Sequence, residues 1–267
     1  MVIIVKKINT IFLCAFLFCL AVPASGHVPY FKKKNSKAFQ LKMPLEKSVV
    51  VYSGFSGAGT VDLFQFQLKA CDFNESATIS GIDTRTKIKG RHSLITTDEN
   101  GIKGRRLFVS TCIAGCEAYK ELLPQIALVG PKGDYFQDLL PEEVALLPFN
   151  YDPSTEGVVL IKNNTQGPLW YEKYSRKHYF MNKEMSVTLS RPGQYKIYTW
   201  ELNDKIGDYA LAVGDIEVWR FKEIMRGIRH IVGLWRHKEI HSKQCKKELK
   251  ALKKAMKDKK NEIVKRD

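Results

Sequence analysis

Arg191-Pro192-Gly193-Gln194-Tyr195-Lys196-Ile197-Tyr198-Thr199-Trp200, followed at 207 by Gly207-Asp208-Tyr209-Ala210-Leu211-Ala212-Val213-Gly214, is the stretch that decides the fold. A Pro-Gly turn opens a run rich in aromatic and β-branched residues, and the second run is apolar and ends on glycine. Both read as strands, over Gln194–Trp200 and Tyr209–Val213. Upstream, the same texture recurs at Lys47–Ser53, Thr60–Leu68, Leu107–Ser110, Gln125–Gly130, Gly157–Ile161, Leu169–Tyr174, Lys177–Met181 and Met185–Ser190. Spacing of about ten residues with turn residues between predicts an all-β sandwich or barrel.

The links carry their own expectations. Gly54-Phe55-Ser56-Gly57-Ala58-Gly59 reads as a glycine-rich hairpin turn, since it lacks the Lys-Ser/Thr ending and following helix of a phosphate loop. Residues 81–106 hold Lys87, Lys89, Arg91, Lys103, Arg105 and Arg106 and read as a long hairpin or loop of solvated charge. The segment from Cys112 to Leu123 suits a short helix, and Pro141–Val144 a single helical turn with Glu142 and Glu143 early in it.

After Trp219 the period changes. Ile224, Ile228, Ile231 and Trp235 recur at spacings of four, three and four, and Cys245, Leu249, Leu252 and Met256 repeat them. This predicts amphipathic helices. The formal net charge of +15 is concentrated here, because residues 220–267 hold 17 Lys and Arg against 6 Asp and Glu. A partner attracted by charge is therefore a partner of the tail.

At the other end, Lys6 and Lys7 precede a run of 12 residues without charge, Ile11 to Val22, then the small residues Ala24, Ser25 and Gly26 before His27. That order is a secretory leader, and the run is too short to span a bilayer, which takes about 20 residues. The expected organisation is a leader over 1–26, a β-sandwich domain over 27–219 and a basic helical tail over 220–267. The protein is expected to be exported, periplasmic or extracellular. In that compartment a structural disulfide is expected among Cys71, Cys112 and Cys116, with Cys245 free in the tail.

The closing strands resemble those of exported jelly-roll modules of the pre-peptidase C-terminal type, in which a Gly-x-Tyr-x-Leu strand pairs back with the strand opened by Pro-Gly. The chain also resembles a family of uncharacterised exported bacterial proteins, through His27-x-Pro29-x-Phe31, Leu128-x-Gly130-Pro131 and Gly207-Asp208-Tyr209 with Val213-Gly214 and Glu217. The resemblance implies export and a jelly-roll-like β-sandwich, with the helical tail outside it and no catalytic residue to carry over.

No Gly-x-Ser-x-Gly elbow, His-Glu-x-x-His helix, Walker loop or dinucleotide fingerprint occurs after the leader. A non-enzymatic binding or envelope-associated protein is the leading expectation. In the tail, Trp219, Arg220, Arg226, Arg229, Trp235 and Arg236 would contact an anionic membrane or an acidic glycan, by apolar insertion and charge attraction. Export argues against nucleic acid. The alternative is a periplasmic copper-binding protein. Cleavage falls after Ala24 or after Gly26, and only the second makes His27 the N-terminal residue, whose amine and imidazole suit Cu(II), with a second imidazole from His92 or His178. The aromatic set Trp170, Tyr171, Tyr174, His178, Tyr179 and Phe180 is read chiefly as core and cross-strand packing, with a carbohydrate-stacking surface as the other use.

Overall fold

A computed structural model describes residues 28–32, 38–42, 45–83, 86–172 and 177–218, together with 245, 247, 248, 250, 251, 254 and 255 of the tail. The expected leader, His27 and most of the expected tail lie outside the described residues. The fold is mainly β.

The first sheet runs β1 (Val28–Phe31), β3 (Val49–Phe55), β14 (Gly207–Val213), β8 (Lys103–Ala114), β12 (Lys177–Leu189) and β11 (Leu169–Glu172), with the short β7 (Thr96–Thr97) also pairing to β8. The second runs β10 (Glu156–Ile161), β9 (Pro124–Pro131), β13 (Gly193–Glu201), β4 (Val61–Leu68) and β2 (Phe39–Gln40). A small third sheet joins β15 (Ile216–Glu217), β5 (Thr78–Asp83) and β6 (Lys89–Ser93). Pairing is antiparallel except for β1 on β3 and β2 on β4, which are parallel.

Alternation explains the two layers. Val49 and Val51, Leu107, Val109 and Ile113, Met185, Val187 and Leu189, and Tyr209, Leu211 and Val213 form the inner face of the first sheet. They meet Phe64, Phe66 and Leu68, Ile126 and Leu128, and Tyr195 and Ile197 from the second, in one buried cluster. Period-two burial of this kind builds a sandwich core.

Two links expected to be hairpins are crossings between the sheets. The glycine-rich link leads from β3 in the first sheet to β4 in the second, and residues 202–206 lead from β13 in the second to β14 in the first. The reason is occupancy of edges. β13 already pairs with β4 and β9, and β3 with β14 and β1. The second corner is held by Glu201, whose carboxylate accepts the backbone N–H groups of Asn203 (2.8 Å) and Lys205 (2.7 Å).

Other segments also differ in detail. The two strands foreseen at 177–190 are one, β12, with an irregularity between Met181 and Glu184. Residues 81–106 include the foreseen hairpin, β5 against β6, but Arg105 and Arg106 belong to β8. The short helix expected between Cys112 and Leu123 shrinks to a 3-10 turn at Glu117–Tyr119, because β8 continues to Ala114. The helical turn α1 (Pro141–Val144) forms where foreseen.

Tyr195 shows how the corner before β13 is fixed. Its ring lies 5.4 Å from Phe66 and 5.5 Å from Phe136, and its hydroxyl donates to the carbonyl of Arg191 at 2.7 Å. This is a tyrosine corner of the kind sandwiches use. Gly130 lies under the ring, where a Cβ would come within 2.5 Å of Tyr195 Cε1. Burial pushes the phenol up to about 12. Its folded value lies above the ordinary 10.0, so this contribution to stability is complete below that pH and is lost as pH rises toward 12. Tyr195→Phe is expected to cost about 1 kcal/mol at neutral pH. Urea unfolding across alkaline pH should then fall less steeply in the variant than in the parent.

The outer faces of the two sheets differ. That of the second carries Ala127, Val129, Val158, Tyr198 and Trp200 and is covered by residues 132–155. There Leu139, Leu147 and Tyr151 pack on it and Phe149 stacks on Tyr198 at 3.8 Å. The first carries the cluster of Tyr52, Ala114 and Ala210, with Phe31, Val50, Cys112 and Tyr119 against it.

Candidate functional site

The tail returns to the sandwich at one corner. β8 ends at Ala114, Gly115 follows, and Cys116 is joined to Cys245 by a disulfide with Cα atoms 5.4 Å apart. One residue on, the Glu117 backbone N–H donates to Glu248 Oε2 at 2.7 Å. The described residues between 245 and 255 have helical backbone, and Lys247, Lys250 and Lys254 are exposed. Their spacing of three and four places them on one helix face.

This pairing corrects the expectation that Cys245 is free and that the bond lies among Cys71, Cys112 and Cys116. Cys71 is exposed in the 3-10 turn Ala70–Phe73 beyond β4, while Cys112 lies within β8 and joins the cluster on the outer face of the first sheet. These two thiols belong to different layers, and Cys116 alone stands at the corner where the tail arrives.

The edge strand β11 adjoins the same corner. A Cβ on Gly115 would meet Leu169 Cδ1 at 2.5 Å and the His178 carbonyl at 3.0 Å. Leu169, Trp170 and Tyr171 are exposed. The aromatic set thus divides. Tyr179 and His178 are buried, Phe180 packs against the main core, Trp170 and Tyr171 are exposed, and Tyr174 is outside the described residues. The corner therefore combines an exposed aromatic edge with a row of lysines.

The histidines do not form one site. His178, its ring 5.0 Å from that of Tyr171, pairs beside Gly115 at one end of β8. His92, with Nε2 3.3 Å from the Gly81 carbonyl, lines a cleft with Arg106 at the other end. Nine residues of extended strand separate these ends, on the order of 30 Å. One metal ion cannot take both, and His27 is outside the described residues. Trp219, Arg220, Arg226, Arg229, Trp235 and Arg236 also lie outside them. Among the described residues no group of three or more His, Cys, Asp and Glu is arranged to hold a metal, and no helix is long and apolar enough to cross a membrane.

The cleft at His92 has a volume of about 300 Å³ and is lined by Asp83, Arg91, Ser93, Arg106 and Asp215 among others. Arg106 Nη2 lies 2.5 Å from Asp215 Oδ2 and 3.3 Å from Asp83 Oδ2. Arg105 is buried, its Nη1 donating to the Asp72 carbonyl at 2.9 Å and its Nη2 4.0 Å from Glu46. Burial lowers the Arg105 guanidinium, with Glu46 and Asp72 opposing. These two arginines, expected as solvated loop charge, instead tie the third sheet and the loop after β4 to β8.

A second polar group lies inside the sandwich. Asp62, 4% exposed, accepts Ser53 Oγ at 2.5 Å and Tyr209 Oη at 2.6 Å, and it is ion-paired with Lys32. The Thr199 hydroxyl bonds in turn to that of Tyr209. Ser53 and Tyr209 come from the first sheet, Asp62 and Thr199 from the second. Burial raises the Tyr209 phenol well above its ordinary value, and the Asp62 carboxylate adds to this. The sign that marks this group in the sequence is a carboxylate in register with Phe64 and Phe66. With donors from three residues on the carboxylate, the arrangement is a strap between the two layers.

No family model matches the chain, and no curated protein matches it. Among solved structures it is similar to the pre-peptidase C-terminal domain of collagenase from Bacillus anthracis, at 10% identity and a TM-score of 0.28, over 68% of this chain and 99% of that one. It is also similar to CorA of Methylomicrobium album BG8, a surface-associated copper-binding protein important in copper acquisition. That match has 10% identity and a TM-score of 0.24, over 70% of this chain and 97% of that one.

Proposed function

We propose that this chain is an exported, non-enzymatic, envelope-associated protein whose β-sandwich holds a basic tail against an anionic membrane surface. The observation that carries the reading is the Cys116–Cys245 bond, which fixes the exposed row of Lys247, Lys250 and Lys254 at the corner where Trp170 and Tyr171 are exposed. A disulfide suits an oxidising compartment. Lysines near an anionic leaflet contribute about 1 kcal/mol each, and tryptophan and tyrosine favour the headgroup level. Lysine and aromatic groups on one corner therefore act together.

The test is sedimentation of the chain beginning at residue 27 with vesicles of phosphatidylglycerol and phosphatidylcholine in equal parts. Binding should be present near 0.05 M salt and largely lost by about 0.5 M, as the screening length shortens. Joint substitution of Lys247, Lys250 and Lys254 by alanine should weaken it by at least about tenfold. Equal binding to pure phosphatidylcholine, unchanged binding by the triple variant, or retention only on an acidic polysaccharide would each overturn the membrane reading.

A further inference from the structure

We infer that Asn74 is an acceptor site for an N-linked oligosaccharide, and that folding closes the second sequence of the same form, at Asn163. The pattern Asn-x-Ser/Thr, with x other than proline, occurs twice in the chain, as Asn74-Glu75-Ser76 and Asn163-Asn164-Thr165. In an exported protein that pattern marks a site of sugar attachment where it lies on a surface loop. The inference rests on the export in the reading above and not on membrane contact.

The two asparagines are in opposite environments. Asn74 follows the 3-10 turn Ala70–Phe73 in extended backbone, at φ −67° and ψ 118°, and Asn74, Glu75 and Ser76 are all exposed. The base of this loop is fixed. The Lys69 N–H donates to Asp72 Oδ2 at 2.7 Å, Arg105 Nη1 donates to the Asp72 carbonyl, and Phe73 packs against the main core. The tripeptide therefore projects from a firm support. Glu75 pairs with Lys103 at 2.6 Å, but the two side chains are 72% and 54% exposed, and such a pair parts at little cost.

Asn163, by contrast, is 1% exposed. Its Nδ2 donates to the Pro124 carbonyl, its backbone N–H donates to Gln125 Oε1 at 2.9 Å, and its Oδ1 accepts the Lys183 N–H at 3.0 Å. That side chain joins β9 to β12, and a sugar on Nδ2 would have to part them. A chain modified there cannot complete the sandwich.

The chemistry of transfer fits Asn74. An amide nitrogen is a poor nucleophile, because its lone pair is shared with the carbonyl. The Ser76 N–H donates to Asn74 Oδ1 at 2.9 Å, which stabilises negative charge on that oxygen and eases loss of a proton from Nδ2. Nδ2 attacks the anomeric carbon of an oligosaccharide carried on a polyisoprenyl diphosphate, which the exporting cell supplies with its transferase. The new C–N bond replaces the C–O bond to the diphosphate, the diphosphate leaves with that electron pair, and the amide proton passes to a base of the transferase. The step is redox-neutral. Asp72 lies two residues before Asn74 and Ile161 two before Asn163, so a transferase that also reads an acidic residue there makes the same choice. The sugar would stand far from the lysine corner, since Arg105 and Cys116 are eleven residues apart, on the order of 35 Å of extended chain.

The test is incubation of the folded, oxidised chain beginning at residue 27 with a purified bacterial oligosaccharide transferase and a polyisoprenyl-diphosphate oligosaccharide, read by mass spectrometry of the intact chain and its peptides. The parent should gain the mass of one oligosaccharide, on the peptide that contains Asn74. Asn74→Gln and Ser76→Ala should each gain none, and Ser76→Thr, which keeps the hydroxyl, should gain one. The same glycopeptide should be present in the chain exported by its own cells. Unmodified Asn74 in either preparation, or sugar on Asn163 of the folded chain, would overturn the inference. Vesicle binding by Asn74→Gln should equal that of the parent, so the loss of either reading leaves the other standing.

Discussion

Replacing Asp62 by alanine is expected to lower the melting temperature by on the order of 10 °C. The substitution leaves the Lys32 ammonium inside the protein without its counter-charge and strips the acceptor from Ser53 and Tyr209. Breaking a buried pair from one side costs about 3–5 kcal/mol, and each kcal/mol moves the midpoint of a domain this size by about 2–4 °C. The cause is charge rather than lost volume, so adding Lys32→Met to Asp62→Ala should recover most of the loss. Calorimetry of the two single variants and the double variant measures this directly. A double variant no more stable than Asp62→Ala would show that the ion pair is not what the core depends on.

Removing the tail's covalent bond should have the second-largest effect. Cys116 and Cys245 are 129 residues apart, so their bond restrains most of the second half of the chain in the unfolded state. Cys245→Ser is expected to cost about 2–4 kcal/mol. The parent should lose the same amount when reductant is added, and the variant should not respond to reductant. Thermal melts of both proteins with and without dithiothreitol provide the comparison. A parent indifferent to reductant would contradict the bond's role.

The strands were legible because a sheet with one face on the core alternates its side chains, most plainly at β4, where every second residue from Asp62 to Leu68 is buried. The division into layers was not. Local pattern shows that Tyr209, Leu211 and Val213 share a face, but not whether β14 lies beside β13 or across from it. That depends on β9 and β4 having claimed both edges of β13. Charged residues were misplaced for a related reason. Arg105 and Arg106 look like loop charge until Asp215, Asp83 and the Asp72 carbonyl, all distant in sequence, are brought to them. Cys245 was misassigned because its partner is chosen by where the tail docks, and helical periodicity carries no record of that. Asp62 was visible in register with Phe64 and Phe66, yet its partners Lys32 and Tyr209 come from opposite ends of the domain.

The two parallel strands near the N-terminus bear on the order of assembly. β1 edges the first sheet and β2 the second, so a single early run of chain lies against both layers. Neither strand has a template until β3 and β4 have separated into different sheets, and the Lys32 ammonium has no closed site until Tyr209 arrives from β14. These two strands are thus expected to be among the last elements fixed. They act as a clasp whose closure reports that the rest of the sandwich is already in place.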